Sequence, residues 1–175
     1  LGSQRIDQMI DPELTFQMAI EDYRRQGYSD KWINERMRSI EMRKELTDEW
    51  KRSGITEQRD FAILTNVLTQ AWSGMNTRQY KSYKGLTKEN LRDNMTNVEL
   101  ALNTLAEVAT TEYSRQSNPT TMEESKRIAR EGGEVARDAR KTIEKRLGRT
   151  VISSEKASDY IRPIQNSDPE ELPLE

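Results

Sequence analysis

Residues 96–113 read TNVELALNTLAEVATTEY, and this stretch predicts a long amphipathic helix in the middle of the chain. Thr96 and Glu99 have the spacing of a capping box, in which the Thr hydroxyl accepts from a backbone N–H three residues on and the Glu carboxylate returns to the cap. Apolar residues then recur at three- and four-residue steps from Leu102 to Val108, which is the period of one helix face. We therefore expect a helix that buries a single stripe against other helices.

Capping residues and glycines divide the rest of the chain into further helices. Polar residues that can cap a helix precede each apolar-periodic segment, and they are Asp11, Ser29, Thr56, Thr87, Thr121 and Ser154. The two longest segments, 30–52 and 121–147, end before glycines, whereas 150–152 is either a short strand or a connector. The fold class that follows is all-α: an irregular helical bundle of about six to eight helices, with a long helical arm and little or no sheet.

The longest predicted helix carries an adjacent glycine pair, Gly132-Gly133, at its middle. Two glycines cost roughly 2 kcal/mol of helix propensity relative to alanine, so the pair needs a structural reason. We expect either a kink or a close approach of a neighbouring helix at this point.

The expected organisation is an arm of two helices over 1–53, a helical domain over 54–160 and an extended acidic tail over 161–175. The helix 30–52 has a sustained apolar stripe, which indicates either packing in the core or a seam with a second copy of the chain. The tryptophans favour the core. The residues that would form a dimer contact are Trp32, Ile33, Met37, Ile40 and Trp50.

The composition argues against several classes of function. Apolar and charged residues each make up 33% of the 175 residues, and the chain has neither cysteine nor histidine. The absence of these two residue types removes the usual general base and the usual zinc ligands, and no catalytic pattern of Ser, Lys or paired carboxylates is found. We expect no enzyme activity, no cofactor, no metal and no membrane span, and we expect a fragment of a longer cytoplasmic protein.

Two basic stretches lie between acidic ends of the chain, although the net charge is only −2. Residues 76–92 hold five cations and one acid, and residues 126–149 hold nine cations and four acids. Cations can neutralise phosphates or an acidic protein surface, and Tyr80 and Tyr83 could stack on bases. The candidates for binding nucleic acid or a partner are Arg78, Lys81, Lys84, Lys88, Arg92, Lys126, Arg130, Arg137, Arg140 and Lys141.

Each basic stretch also has an ordinary structural explanation. The tyrosines of the first stretch can pack inward while its lysines are solvated. The cations of the second can form the outer face of a bundle helix, neutralised in part by its own glutamates. The decisive observation is whether these cations lie together on one surface in the folded chain.

Three features between Gly54 and Tyr160 are distinctive: a Lys-Gly-Leu element beginning at Lys84, Met95, and a Thr…Glu-Leu-Ala-x-Asn pattern from Thr96. Together they resemble the carboxy-terminal region of the family of DNA-damage-inducible protein D, a relative of BRO-type phage antirepressors. The stretches that carry the resemblance are 83–90, 93–95, 96–103, 54–56, 59–63, 131–136 and the tail segment 168–173.

The resemblance implies a protein of the bacterial DNA-damage (SOS) response, located in the cytoplasm with the nucleoid. It implies an accessory role in recombination, by contact with a recombinase filament or another DNA-repair protein, and with single-stranded DNA as a further ligand. The expectation of a homodimer comes from the apolar stripe of helix 30–52. The BRO-type relationship leaves an alternative, the oligomerisation and effector module of a phage-type transcription regulator whose amino-terminal domain is absent.

Overall fold

The computed structural model describes residues 12–161, and this part of the chain holds seven α-helices and one short 3-10 helix, with no strand. The all-α prediction is confirmed over these residues, and 150–152 is a connector. The cap predicted at Asp11 and all of the predicted tail 161–175 except Ile161 lie outside the described residues. The helices are α1 (Pro12–Gln26), α2 (Asp30–Arg52), α3 (Gln58–Ser73), α4 (Thr77–Tyr83), the 3-10 helix (Arg92–Asn94), α5 (Asn97–Ser117), α6 (Met122–Leu147) and α7 (Ala157–Tyr160).

Three of the predicted caps are formed in the structure. The Ser29 hydroxyl accepts from the Trp32 backbone N–H, and Thr96 forms the full capping box with Glu99. Thr121 accepts from the Glu124 N–H, so both long helices of the second half begin where their sequences predict. Gly148 ends α6 in the left-handed conformation, with φ of 72°, where glycine avoids the Cβ penalty.

At the three other described positions, Thr56, Thr87 and Ser154, the structure differs from the prediction. Helix α3 begins after Glu57 rather than at Thr56, and no side chain caps it. No α-helix follows Thr87, because the Glu89 carboxylate accepts from both the N–H and the hydroxyl of Thr87 and holds a turn there. The last short helix begins after Lys156 instead of Ser154.

Helix α5 is the centre of the bundle, with α2 on one side and α6 on another, while α3 lies against α6 and α5. Helices α2 and α5 run in the same direction. Trp32, at the start of α2, donates from its indole N–H to the Met95 carbonyl, and Arg52, at its end, reaches Asn118. Helices α3 and α6 run the opposite way, so the four long helices alternate in direction along the chain.

The glycine pair lies at a close contact between α6 and two other helices. A Cβ on Gly132 would lie only 2.7 Å from the Thr110 backbone nitrogen on α5, and one on Gly133 would lie 2.5 Å from the Ala71 Cβ on α3. Helix α6 therefore approaches two neighbours at once through adjacent residues. Of the two expectations for this pair, the structure shows the close approach.

Helix α2 packs in the body of the protein, although the sequence suggested an arm. One hydrophobic cluster includes residues from both sides of the expected domain boundary at 53/54, such as Trp32 and Leu64. Four of the five predicted dimer contacts are corrected by this packing, because core side chains are not free to meet a partner: Trp32, Ile33, Met37 and Trp50 are at most 4% exposed. Ile40, at 37% exposure, remains on the surface, and the homodimer stays a prediction.

Candidate cationic interaction site

The structure separates the ten predicted cations into those inside the protein and those along its surface. Lys84 is the clearest internal one, because its side chain is 0% exposed. Its ammonium donates to the Glu99 carboxylate at 2.9 Å and to the backbone carbonyls of Ser153 and Glu155 at 2.7 and 3.0 Å. All three donors of the ammonium are thus used within the chain, so Lys84 is corrected from a binding residue to a core residue.

The same buried cluster includes Tyr80, whose hydroxyl donates to the second oxygen of Glu99. Burial raises the pKa of Tyr80, and the charge of Glu99 beside it acts in the same direction. Glu99 also completes the capping box of α5 with Thr96. The residues of the Lys-Gly-Leu and Thr…Glu elements therefore join α4, the start of α5 and the connector after α6 into one network.

Arg92 belongs to a second internal cluster. Its guanidinium lies 2.9 Å from the fully buried Glu107 carboxylate, which also accepts from Arg43 of α2 at 3.4 Å. Next to it, the Asp93 carboxylate accepts from Arg36 at 2.9 Å. Arg92 therefore acts within the fold, where it fastens the 3-10 helix to α5, and its side chain is only 18% exposed.

Three further candidates lie on or near α4 and form no ion pair with any residue in the range 12–161. Arg78 and Lys88 are exposed, and Lys81 is half-buried. Tyr83 is 45% exposed but its hydroxyl points to the Ile152 carbonyl at 3.4 Å, so it lies against the connector after α6. None of these three cations lines the groove described next.

Four of the five remaining cations meet at a groove of about 580 Å³ between the C-terminal half of α3 and the middle of α6. Helix α6 contributes a charged wall. Helix α3 contributes an uncharged wall of two small apolar side chains, a glutamine and the glycine that follows the helix, and the close contact at Gly133 sets the separation of the two helices. The residues that line the groove are Val67, Gln70, Ala71, Gly74, Arg130, Glu134, Arg137, Arg140 and Lys141.

The four cations of the groove differ in how far they are neutralised. Arg140 donates to the Trp72 carbonyl and to the Glu144 carboxylate, both at 2.8 Å, which fixes it across the end of α3. Arg137 lies 3.1 Å from Asp138 and 3.8 Å from Glu134. Arg130 and Lys141 are exposed and make no ion pair with another described residue.

Lys126 does not line the groove, although its position on the helical wheel suggested that it would. It pairs with Glu123 at 3.3 Å, one turn towards the start of α6. The sequence thus located three members of the charged stripe, Arg130, Arg137 and Lys141, on one face. It gave no sign of the α3 wall, because Val67 and Ala71 have the spacing of ordinary core positions.

Among residues 12–161, no three acidic side chains are placed to hold a metal ion. No helix in the same range combines the length and the apolar character that crossing a bilayer requires.

The comparisons with known proteins give one match. A family model described as the DinD C-terminal domain matches residues 28–159, which is about three quarters of the chain and includes α2. Comparison with curated proteins and with solved structures gave no match.

Proposed function

We propose a function from the premise that this chain belongs to the family of DinD C-terminal domains. The family relates it to the DNA-damage response. Within that setting we propose a non-enzymatic accessory protein that binds a recombinase filament on single-stranded DNA. The groove between α3 and α6 is the contact surface.

One observation carries this proposal: four cations project into one groove, and two of them have no acid of their own among the described residues. Exposed charges without an internal partner attract an oppositely charged surface at long range and speed up the encounter. A recombinase filament on DNA offers phosphates and acidic side chains. The described residues hold no feature that favours the alternative role in a phage-type transcription regulator.

The test is a binding titration of the full chain against recombinase filaments assembled on single-stranded DNA, repeated over a range of salt concentrations. The informative variant is Arg130→Ala/Lys141→Ala, because neither side chain holds the fold together. Its matched control is Arg38→Ala/Lys44→Ala, which removes two exposed cations of α2 that also form no described ion pair.

We expect the wild-type affinity to fall with salt and the groove variant to bind about tenfold more weakly, which corresponds to roughly 1.4 kcal/mol. The control variant keeps the wild-type affinity. A wild-type chain with no measurable affinity for filaments at low salt contradicts the proposed function.

A further inference from the structure

We infer that the groove takes an acidic protein segment that carries an apolar side chain, and not the phosphate backbone of a nucleic acid. This inference deepens the proposed function and rests on it, since it assigns the ligand class of the same groove. Three features of the groove carry it: its mixed walls, a carboxylate among its cations and the kinds of side chain that line it.

A ligand in the groove contacts an apolar wall on one side and a charged wall on the other. The α3 wall presents Val67 and Ala71, with the backbone at Gly74 lying open, and a ligand gains there by burying carbon. The phosphates of a nucleic acid cannot use this wall, and the sugars between them offer it only small carbon surfaces. A peptide can alternate carboxylates with a leucine or a similar side chain, so one segment can use both walls.

A carboxylate interrupts the row of cations. Arg130, Glu134, Arg137 and Lys141 follow one another at steps of three and four residues, so they form a single stripe along α6. A regularly charged phosphate chain following this stripe would meet Glu134 and be repelled. A protein segment can leave a neutral or basic residue opposite Glu134, and therefore tolerates the pattern.

The lining also lacks the parts that bind single-stranded nucleic acid. Sequence-independent binding of single strands combines a basic track with aromatic side chains on which bases stack. None of the residues lining the groove is aromatic. The amide of Gln70 and the small apolar neighbours offer hydrogen bonds and packing to a peptide instead.

The length of the stripe defines the size of the ligand. Arg130 and Lys141 are eleven positions apart, so their Cα atoms are roughly 16 Å apart along the helix axis. Three turns of a helix, or about five residues of an extended strand, span this distance. The expected ligand therefore has two or more carboxylates within such a segment, to meet Arg130 and Lys141, and an apolar residue between them.

The experiment measures fluorescence anisotropy of three labelled probes with the full chain. The first is a peptide of Glu-Glu-Leu repeats about as long as the groove, the second is its Gln-Gln-Leu counterpart, and the third is an oligothymidylate of similar length. We expect the acidic peptide to bind at least about tenfold more tightly than either of the others. Arg130→Ala/Lys141→Ala should weaken it by about tenfold, and Arg38→Ala/Lys44→Ala should leave it unchanged.

Three outcomes overturn the inference. If oligothymidylate binds most tightly and depends on Arg130 and Lys141, the groove is a nucleic-acid site. If the groove variant binds every probe as the wild type does, the groove is not the contact surface. The third outcome concerns the acids of the chain's own carboxy-terminal segment. If Asp168→Asn/Glu170→Gln/Glu171→Gln raises the affinity for the acidic peptide about tenfold, those acids already occupy the groove and no external partner is needed.

The filament titration is run with the same variants, so that the two proposals can fail separately. If filament binding requires Arg130 and Lys141 but the groove prefers oligothymidylate, the proposed function stands and the acidic ligand is rejected. If the groove binds the acidic peptide but the chain does not bind filaments, the ligand class stands and the proposed function is rejected.

Discussion

The Lys84 ammonium lies 2.9 Å from the Glu99 carboxylate, and solvent reaches neither side chain. Tyr80 and two backbone carbonyls complete the hydrogen bonds of this pair. Burial of two charges is tolerated only when both are satisfied in this way. The pair therefore explains why a lysine and a glutamate fifteen positions apart are structural residues here.

The first prediction concerns this pair. Lys84→Met leaves Glu99 charged and without its cation in the interior, so we expect a loss of about 3–5 kcal/mol in the free energy of unfolding. The double variant Lys84→Met/Glu99→Leu removes both charges and should be more stable than Lys84→Met alone. Urea denaturation followed by circular dichroism measures both. A Lys84→Met chain with wild-type stability and weakened filament binding would make Lys84 a contact residue after all.

The burial of Lys84 could not be predicted from the sequence around it. Cations alternating with tyrosines between 78 and 92 resemble a nucleic-acid surface, and nothing local distinguishes Lys84 from Lys81 or Lys88. The distinction is made by Glu99, at the start of α5, which the fold places beside the Lys84 ammonium at the end of α4. The family resemblance pointed to these positions without revealing that the reason is burial.

The glycine pair of α6 gives the second prediction. Gly133→Ala places a Cβ against Ala71 and the Leu68 carbonyl, the latter at 2.7 Å, so α6 and α3 must separate. We expect a loss of roughly 1–3 kcal/mol despite the better helix propensity of alanine. The midpoint of thermal unfolding reports it. The neighbouring change Glu131→Ala, on the exposed side of the same turn, is the control and should have a small effect.

The third prediction concerns Glu49, whose carboxylate accepts from Arg52 and from the Ser114 hydroxyl. The hydrogen bond from Arg52 is the main reason that the pKa of Glu49 lies below its usual value, and the bond from Ser114 adds to it. A lowered pKa in the folded state stabilises the fold above the unfolded-state pKa, near 4.5, and this contribution is lost as the pH falls through the folded-state pKa.

Glu49→Gln should therefore be less stable than the wild type at neutral pH, and the difference should shrink as the pH falls below 4.5 and through the lowered pKa of Glu49. Urea unfolding at a series of pH values measures this difference. A difference that stays constant over the whole range would mean that the ionisation of Glu49 does not contribute to stability.

The fourth prediction follows from the position of α2 in the core. A chain that begins at residue 54 lacks the partner of α5 and exposes the face that Trp32, Leu46 and Trp50 cover, so we expect it not to fold cooperatively. A chain that begins at residue 28 retains that face and should unfold in a single transition. Near-ultraviolet circular dichroism and calorimetry compare the two. Cooperative unfolding of the shorter chain would restore the idea that residues 1–53 are an arm.

The sequence predicted where the helices begin and end better than it predicted which helices pack against one another. Ser29, Thr96 and Gly148 act through backbone contacts within a few residues, so their roles follow from local chemistry. The amphipathic stripe of α2 gave no such information, because a face that packs on α5 looks the same as one that packs on a second chain. Only one wall of the groove could be predicted, because its cations lie on a single helix, α6. The other wall comes from α3, and the sequence does not show that α3 packs beside α6.

The parallel run of α2 and α5 has a consequence for biosynthesis. The contacts that join these helices, from Trp32 with Met95 to Arg52 with Asn118, link residues 63 to 66 positions apart in the chain. During translation, the apolar side of α2 emerges long before the segment that covers it. We therefore expect the nascent polypeptide to need shielding, by the ribosome surface or a chaperone, until about the end of α5 has been synthesised.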